Sequence, residues 1–562
     1  MLRHKKILKS ISAVLAGILL AGTLAGCSDV YTSTETELTY DEAASELESL
    51  MTRVSVNNVD NPVMDIYTYE VSEADTLSDV SAFPITVQGT GQINLEIAGA
   101  TEMTAEEAPD DWLNIVAENF NRQRYEINGK TVSITVRQMT SGEVVTYMRA
   151  GAYEPDLYIP STYPWAMMLE ASGIKTIQLT ERLVGNTAGI LMKDDIYEEF
   201  IGKYGEATLS NLITAAIAGD VLFAYPNPYT SSTGLNGIGA ILYSFDPDNP
   251  LSEDAASQLR AYQQSSPPVA YTTAVLRNQA AKGVINTMLM EEQAYINTPT
   301  LSGYTYIPFG IRHDHPVYTF SYCSDEEQEA ARLFIDYCME NENQELATEK
   351  GFNRHDDYVS QDPGFSGSDW INAQQIWREN KSGGRPIVAV FVADTSYSMD
   401  GEPLNALKNA LVNTSSYIQD SNYIGLVSYN TDVTVNLPIA EFDATQRAYF
   451  SGEVKNLTPN GNTATYDAVL VGMDMLLKAS EEIGDAKLML FLLTDGQQNR
   501  GFTLDRITPI VEGLSIPVYT VAYNYNDNGE LEALSGVNEA ASLNADSDDI
   551  VNLLRNLFNA EM

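Results

Sequence analysis

Two runs of uninterrupted apolar residues, each stopped by an aspartate, constrain this chain more than anything else in it. Residues 386–393 read PIVAVFVA and lead into Asp394; residues 488–493 are equally apolar and lead into Thr494-Asp495-Gly496. A strand without a polar face is buried on both sides, which calls for a mostly parallel sheet covered by helices. In open α/β sheets, ligands gather beyond the carboxyl ends of the strands. Both aspartates are therefore expected at a binding edge, with Gly496 permitting the tight turn after the second.

The residues around them carry the chemistry. In Asp394-Thr395-Ser396-Tyr397-Ser398 one carboxylate and two hydroxyls alternate, so a turn can aim them at one point. Gly461-Asn462-Thr463 precedes a helical stretch and adds a third hydroxyl, and Asp495 adds a second carboxylate. Hard oxygens with few carboxylates suit a divalent cation, Mg2+ first, with Ca2+ or Mn2+ as alternatives. The intervening spacing leaves room for β-α units, ending in a strand over 516–522 and a helix over 550–558.

This pattern resembles the metal-ion-dependent adhesion site of von Willebrand factor A (VWA) domains, a doubly wound, Rossmann-like fold, here over residues 386–562. The resemblance implies that Ser396, Ser398 and Thr463 contact the cation through hydroxyls, and Asp394 and Asp495 directly or through water. It also implies a partner protein that fills a coordination position with an acidic group. Tyr397 and Asn462 stand where the family usually has glycine; neither is a ligand, and both bear on partner choice.

The opposite end of the chain reads as an export signal. Arg3, Lys5, Lys6 and Lys9 precede a short apolar stretch that closes in Leu24-Ala25-Gly26-Cys27, too short for a confident membrane span. It resembles a bacterial lipobox over residues 1–26, which implies cleavage before Cys27 and acylation of its thiol. More than one acyl chain gives stable anchoring, so the expected location is the outer face of a cell membrane, lipid-anchored. The net charge of -45 repels phosphate backbones and excludes nucleic acid as a partner. Residues 27–88, acidic with Arg53 as the only base, are expected to be a spacer. One capped helix is expected from Thr39-Tyr40-Asp41-Glu42 toward Leu47, Leu50 and Met51.

From residue 93 strands and helices alternate, implying another mainly parallel α/β arrangement. The order resembles bacterial extracellular solute-binding proteins of the type II periplasmic-binding fold over 89–360. That resemblance implies two lobes, joined near 187–193 and 304–309, closing on a small or anionic solute. Thr230-Ser231-Ser232-Thr233 opens a helix and could hold an oxyanion. The fold analogy adds strand ends bearing Thr101, Ser141 and Tyr163, with Trp165 beside them. The expected binding residues are Thr101, Ser141, Tyr163, Ser231, Ser232 and Thr233. Residues 361–385 are expected to be a linker holding a short helix through Trp370 and Trp377.

Other clusters offer less. Cys323 and Cys338 flank a helix and would lie about 22 Å apart at 1.5 Å per residue, beyond the ~7 Å limit of a bridge; two free, buried thiols are expected. His313-Asp314-His315 lacks converging partners for a metal. Arg124 stands where a phosphate loop before Gly129-Lys130-Thr131 needs glycine, and no serine sits in a nucleophile elbow. The expectation is a non-enzymatic membrane-anchored binding protein with a cation-dependent adhesion domain. The alternative is a solute receptor for an ABC-type importer, with the A domain docking an accessory protein.

Overall fold

The computed structural model describes residues 38–562 apart from 66–73, 75–76, 106–108, 266, 271–272, 282–284, 497, 524–528, 537–541 and 546–549. Cys27 and the export signal lie outside the described residues. Among the described residues, three sheets organise the fold.

The C-terminal sheet is built outward from Ile387–Asp394, whose eight residues are all buried. Alternation along this strand serves two cores at once. Ala389 and Phe391 pack on one face with Leu411, Phe491 and Phe558, and Val388, Val390 and Val392 pack on the other with Val469, Leu490 and Ile510. The strand pairs in parallel with Tyr423–Tyr429 and Lys487–Thr494, and Val518–Tyr523 extends the sheet in parallel. Val433–Glu441 runs antiparallel beside Tyr423–Tyr429.

The last of these strands does not end the sheet. Val56–Asn58 pairs in parallel with it, from Val56 opposite Val433 to Asn58 opposite Val435. The helix Tyr40–Met51 starts with a full capping box between Thr39 and Glu42. It buries Ala43, Leu47 and Leu50 against the core that holds Ile507, Ile510 and Leu514. Farther along, Val63 N donates to Glu453 Oε1 at 2.6 Å, and Asp65 pairs with Lys455. The expected acidic spacer is thus corrected: residues 38–65 are the first part of the C-terminal domain, and everything between there and residue 386 is inserted into it. Covering an exposed sheet edge and an apolar helix groove repays the ordering of this segment.

The inserted region has two lobes. The first sheet runs Ile85–Val87, Lys130–Gln138, Ile93–Gly99, Leu157–Ile159, Val317–Phe320, Thr176–Thr180; the second runs Val269–Ala270, Phe223–Pro226, Thr287–Glu291, Ala188–Lys193, Tyr304–Phe309. The chain crosses between lobes at 181–187 and 310–316, just outside the antiparallel pair Ala188–Lys193 and Tyr304–Phe309. Cys323 and Cys338 are free and buried.

The expected linker is also corrected. The helix Gly367–Asn380 begins with a capping box at Ser366 and Asp369 and buries Trp370, Ala373 and Trp377. Those side chains join one core with Trp165 of the first lobe and Tyr225, Ile238 and Tyr262 of the second. Gly239 makes room for Trp370, whose ring lies where a Cβ would stand. This helix straps the two lobes together and runs through residues 381–386 into the central strand.

Candidate functional site

Asp394 closes the central strand, fully buried, and both its oxygens are held. Oδ1 accepts the Ser396 N–H at 2.7 Å. Oδ2 accepts the Thr494 hydroxyl at 2.6 Å and the Tyr429 hydroxyl at 3.3 Å. Ser396 Oγ and Ser398 Oγ are 3.0 Å apart, and Ser398 Oγ donates to Asp495 Oδ1 at 2.8 Å. Gly496 fits close by, since a Cβ there would come within 3.3 Å of Ser398 Oγ. Four of the five expected ligands therefore form one connected group.

Thr463 arrives on the neighbouring loop, which docks onto the same turn. Tyr397 N donates to Gly461 O at 3.3 Å, and Asn460 N to Thr395 O at 2.8 Å. Asn499 braces the loop, its Oδ1 accepting the Thr463 N–H at 3.0 Å and its Nδ2 donating to Thr463 Oγ1 at 3.4 Å. Tyr397 itself is 68 % exposed, so it flanks the site without filling it. The sequence pattern assigns no role to Tyr429, Thr494 or Asn499, although Thr494 stands beside Asp495 at the end of the second apolar run.

Burial lifts the Asp394 carboxyl to about 6, against the hydrogen bonds from Thr494 and Ser396. Burial also raises Asp495, opposed by Ser398. Two carboxylates disfavoured as bare anions, joined by hydroxyls at the mouth of a parallel sheet, fit a hard divalent cation, whose charge would offset both costs.

The lobe seam is closed by direct contacts. Trp165 Nε1 of the first lobe donates to Ser232 Oγ of the second at 2.9 Å, and Gly142 N donates to Thr230 O at 3.2 Å. Ser231 caps its helix, accepting Gly234 N–H at 3.3 Å; Thr233 donates to Glu291. Ser141 Oγ accepts the Ser161 N–H at 3.2 Å. Two expected binding residues lie away from these seam contacts. Tyr163 points outward, bonded to Asp362, and lines an open cavity of about 430 Å3 with Met167, Arg312 and Tyr318. Thr101 only opens a four-residue helix, and it is the next residue, Glu102, that turns into the seam.

Glu102 there meets His315 Nε2 at 3.0 Å and accepts the Ser161 hydroxyl. Its charge, added to burial, raises Glu291. Asn236 is oriented by two bonds to the Ile311 backbone, so its Nδ2 can only donate to His313 Nε2, at 3.4 Å. His313 is then the Nδ1–H tautomer, and burial drives its pKa down to about 3. Glu102 was missed because it stands inside the short helix Thr101–Thr104, one residue beyond Thr101; Glu291 closes its strand, so the strand-end rule could have found it.

Residues 389–558 match the family described as von Willebrand factor type A domain, and residues 102–353 match bacterial extracellular solute-binding protein. The chain carries both domains. Inter-alpha-trypsin inhibitor heavy chain H3 of Mus musculus is 28% identical over 182 residues, 30% of this chain and 20% of that protein. The chain spans about a fifth of the length of the inter-alpha-trypsin inhibitor heavy chains it matches. Among solved structures, a von Willebrand factor type A protein from Catenulispora acidiphila is 20% identical, covering 31% of this chain and 42% of that one, TM-score 0.28. Iron-bound HitA from Pseudomonas aeruginosa is 12% identical, covering 52% of this chain and 99% of that one, TM-score 0.37.

Proposed function

We propose that this chain is an exported, lipid-anchored binding protein that captures an acidic group of a partner protein through a divalent cation. The cation, Mg2+ first, would be held by Ser396, Ser398, Thr463, Asp394 and Asp495. One observation carries this reading: the hydrogen-bonded run Asp394–Ser396–Ser398–Asp495, with the Thr463 loop docked on it. Thr494 and Tyr429 orient Asp394, and Asn499 orients Thr463, so the oxygen donors need little rearrangement. The cation would supply the charge to which a partner carboxylate binds. Nothing in this arrangement needs a catalytic step, and the chain works as a binder.

Calorimetric titration of the full chain with Mg2+ tests the site. Asp394→Ala should abolish the heat; equal heats in both proteins would sink the assignment. The full chain is required because residues 38–65 belong to the metal-bearing domain. Anchoring through Cys27 predicts palmitate incorporation that Cys27→Ser removes.

The solute-binding domain would take a small solute between its lobes. Glu102, Glu291, His313 and Thr233 bring buried polar groups to the seam, which favours this over a purely structural body. The importer reading predicts permease and ATPase genes next to this one.

A further inference from the structure

The short helix Pro164–Ala171 and its N-cap carry Tyr163, Met167 and Glu170 at the i, i+4, i+7 spacing that aligns side chains on one face. In the strand that follows, Thr176–Thr180, Thr176 and Gln178 share one side, and Gln178 stands opposite Tyr318 of Val317–Phe320. These residues line the open cavity of about 430 Å3, together with Glu181, Ile311, Arg312 and Asp314 of the lobe crossings. Its volume falls within the range of small-molecule sites.

We propose that this cavity is a binding site for an organic cation, a primary ammonium carried on an apolar body. Arg312 does not oppose it. Its Nε donates to both oxygens of Asp314, at 3.0 and 3.2 Å, and its Nη1 to the His355 carbonyl at 2.6 Å. With that pair set aside, the charges on the wall are Glu170 and Glu181. Glu170 accepts the Thr176 hydroxyl through Oε1. The Glu181 carboxylate has no hydrogen bond or ion pair among the described residues. Burial first, then the charges of Glu170 and Glu181, raise the Tyr318 hydroxyl, so both carboxylates stand near the same ring.

Tyrosine rings attract cations through their faces, and a cleft lined by one sign of charge concentrates the counter-ion. Ala166, Met167, Ile311 and Pro316 supply apolar wall for the body that carries the ammonium. An anion would meet two unpaired carboxylates, and a neutral solute would leave both without a counter-charge. The site is separate from the proposed solute seam. Arg312, Asp314 and Pro316 line it, whereas His313 and His315, alternating with them, are fully buried and bonded to Asn236 and Glu102. A ligand here would therefore touch the outer side of a crossing whose inner side forms the seam.

Probes of nearly one shape test this by calorimetry on the full chain, at low ionic strength and without divalent cations: 2-phenylethylamine, 2-phenylethanol and phenylacetate. The amine should bind saturably and about tenfold more tightly than the alcohol, and the carboxylate should not bind. E170Q/E181Q should remove most of that difference, and E118Q, on an exposed helix face, should leave it unchanged. Equal affinity for amine and alcohol would mark a site for the apolar body alone and would overturn the proposal. So would an amine affinity unchanged in E170Q/E181Q, the mark of diffuse attraction to an acidic chain, or no saturable binding at all. Should the double variant fold poorly, E181Q alone is expected to weaken the amine about threefold, because that carboxylate holds no other described residue.

Discussion

Arg555, on the last helix of the chain, and Glu143, at the first turn of a helix on the lip of the first lobe, stand 3.8 Å apart with almost no solvent access to either. Arg555 also lies 5.6 Å over the Tyr147 ring. The pair joins the solute-binding domain to the VWA domain through charge rather than apolar packing. Removing Glu143 takes its carboxylate away from a buried guanidinium, so Glu143→Ala should destabilise the chain by about 3–5 kcal/mol. E143A/R555M should recover much of that loss. Urea unfolding of the two variants makes the comparison.

The Thr494 and Tyr429 hydroxyls hold the same oxygen of Asp394. Loss of such a support to a metal ligand usually lowers affinity by about 10–100-fold. Thr494→Val and Tyr429→Phe should each weaken Mg2+ binding within that range while leaving all five proposed ligands in place. Calorimetry on the full chain measures it.

Leu47 and Leu50 are buried, 1% exposed each, in the VWA core. Leu47→Ala and Leu50→Ala should each cost about 2–5 kcal/mol, a result no spacer would give. A fragment of residues 386–562 alone should be poorly stable, and restoring 38–65 by a short linker should rescue it. Circular dichroism melts of the two fragments decide the matter.

Glu291 carries a pH signature. Burial, then the Glu102 charge, hold its carboxyl well above the usual carboxylate range. The folded chain keeps a proton that the unfolded chain releases. This contribution to stability is therefore full below about pH 4 and is lost as pH climbs toward about 7. Glu291→Gln should flatten that slope, gaining on the unmodified chain at about pH 8 relative to about pH 5. Urea midpoints across the range measure it.

The parts of this protein that were legible in its sequence are those whose cause is local. Ile387–Asp394 and Lys487–Thr494 announce themselves by having no polar face, and the donors at their ends follow from the direction of the strands. The Thr39 capping box was equally readable, yet the destination of its helix was not. Tyr40–Met51 packs on Ile507 and Leu514, more than 450 residues away along the chain, and its acidic face mimics a solvated spacer. Trp370 and Trp377 misled for the opposite reason: Ser, Gly and Pro around them suggested a linker, while both indoles fill a core shared by two lobes. In the seam, hydroxyls at the start of a helix looked like ligand donors. Ser231 spends its hydroxyl on its own cap, and Ser232 spends its on Trp165.

The insertion of the solute-binding domain between Val56–Asn58 and Ile387–Asp394 has a mechanical consequence. A domain on a single tether can swivel freely, as a bead does on a string. This one leaves and re-enters the same sheet, so the chain joins it at two points rather than one. The strap helix, packed on both lobes, leads through residues 381–386 into the strand whose last residue is Asp394, so the two lobes and the end of that strand share one continuous run of chain.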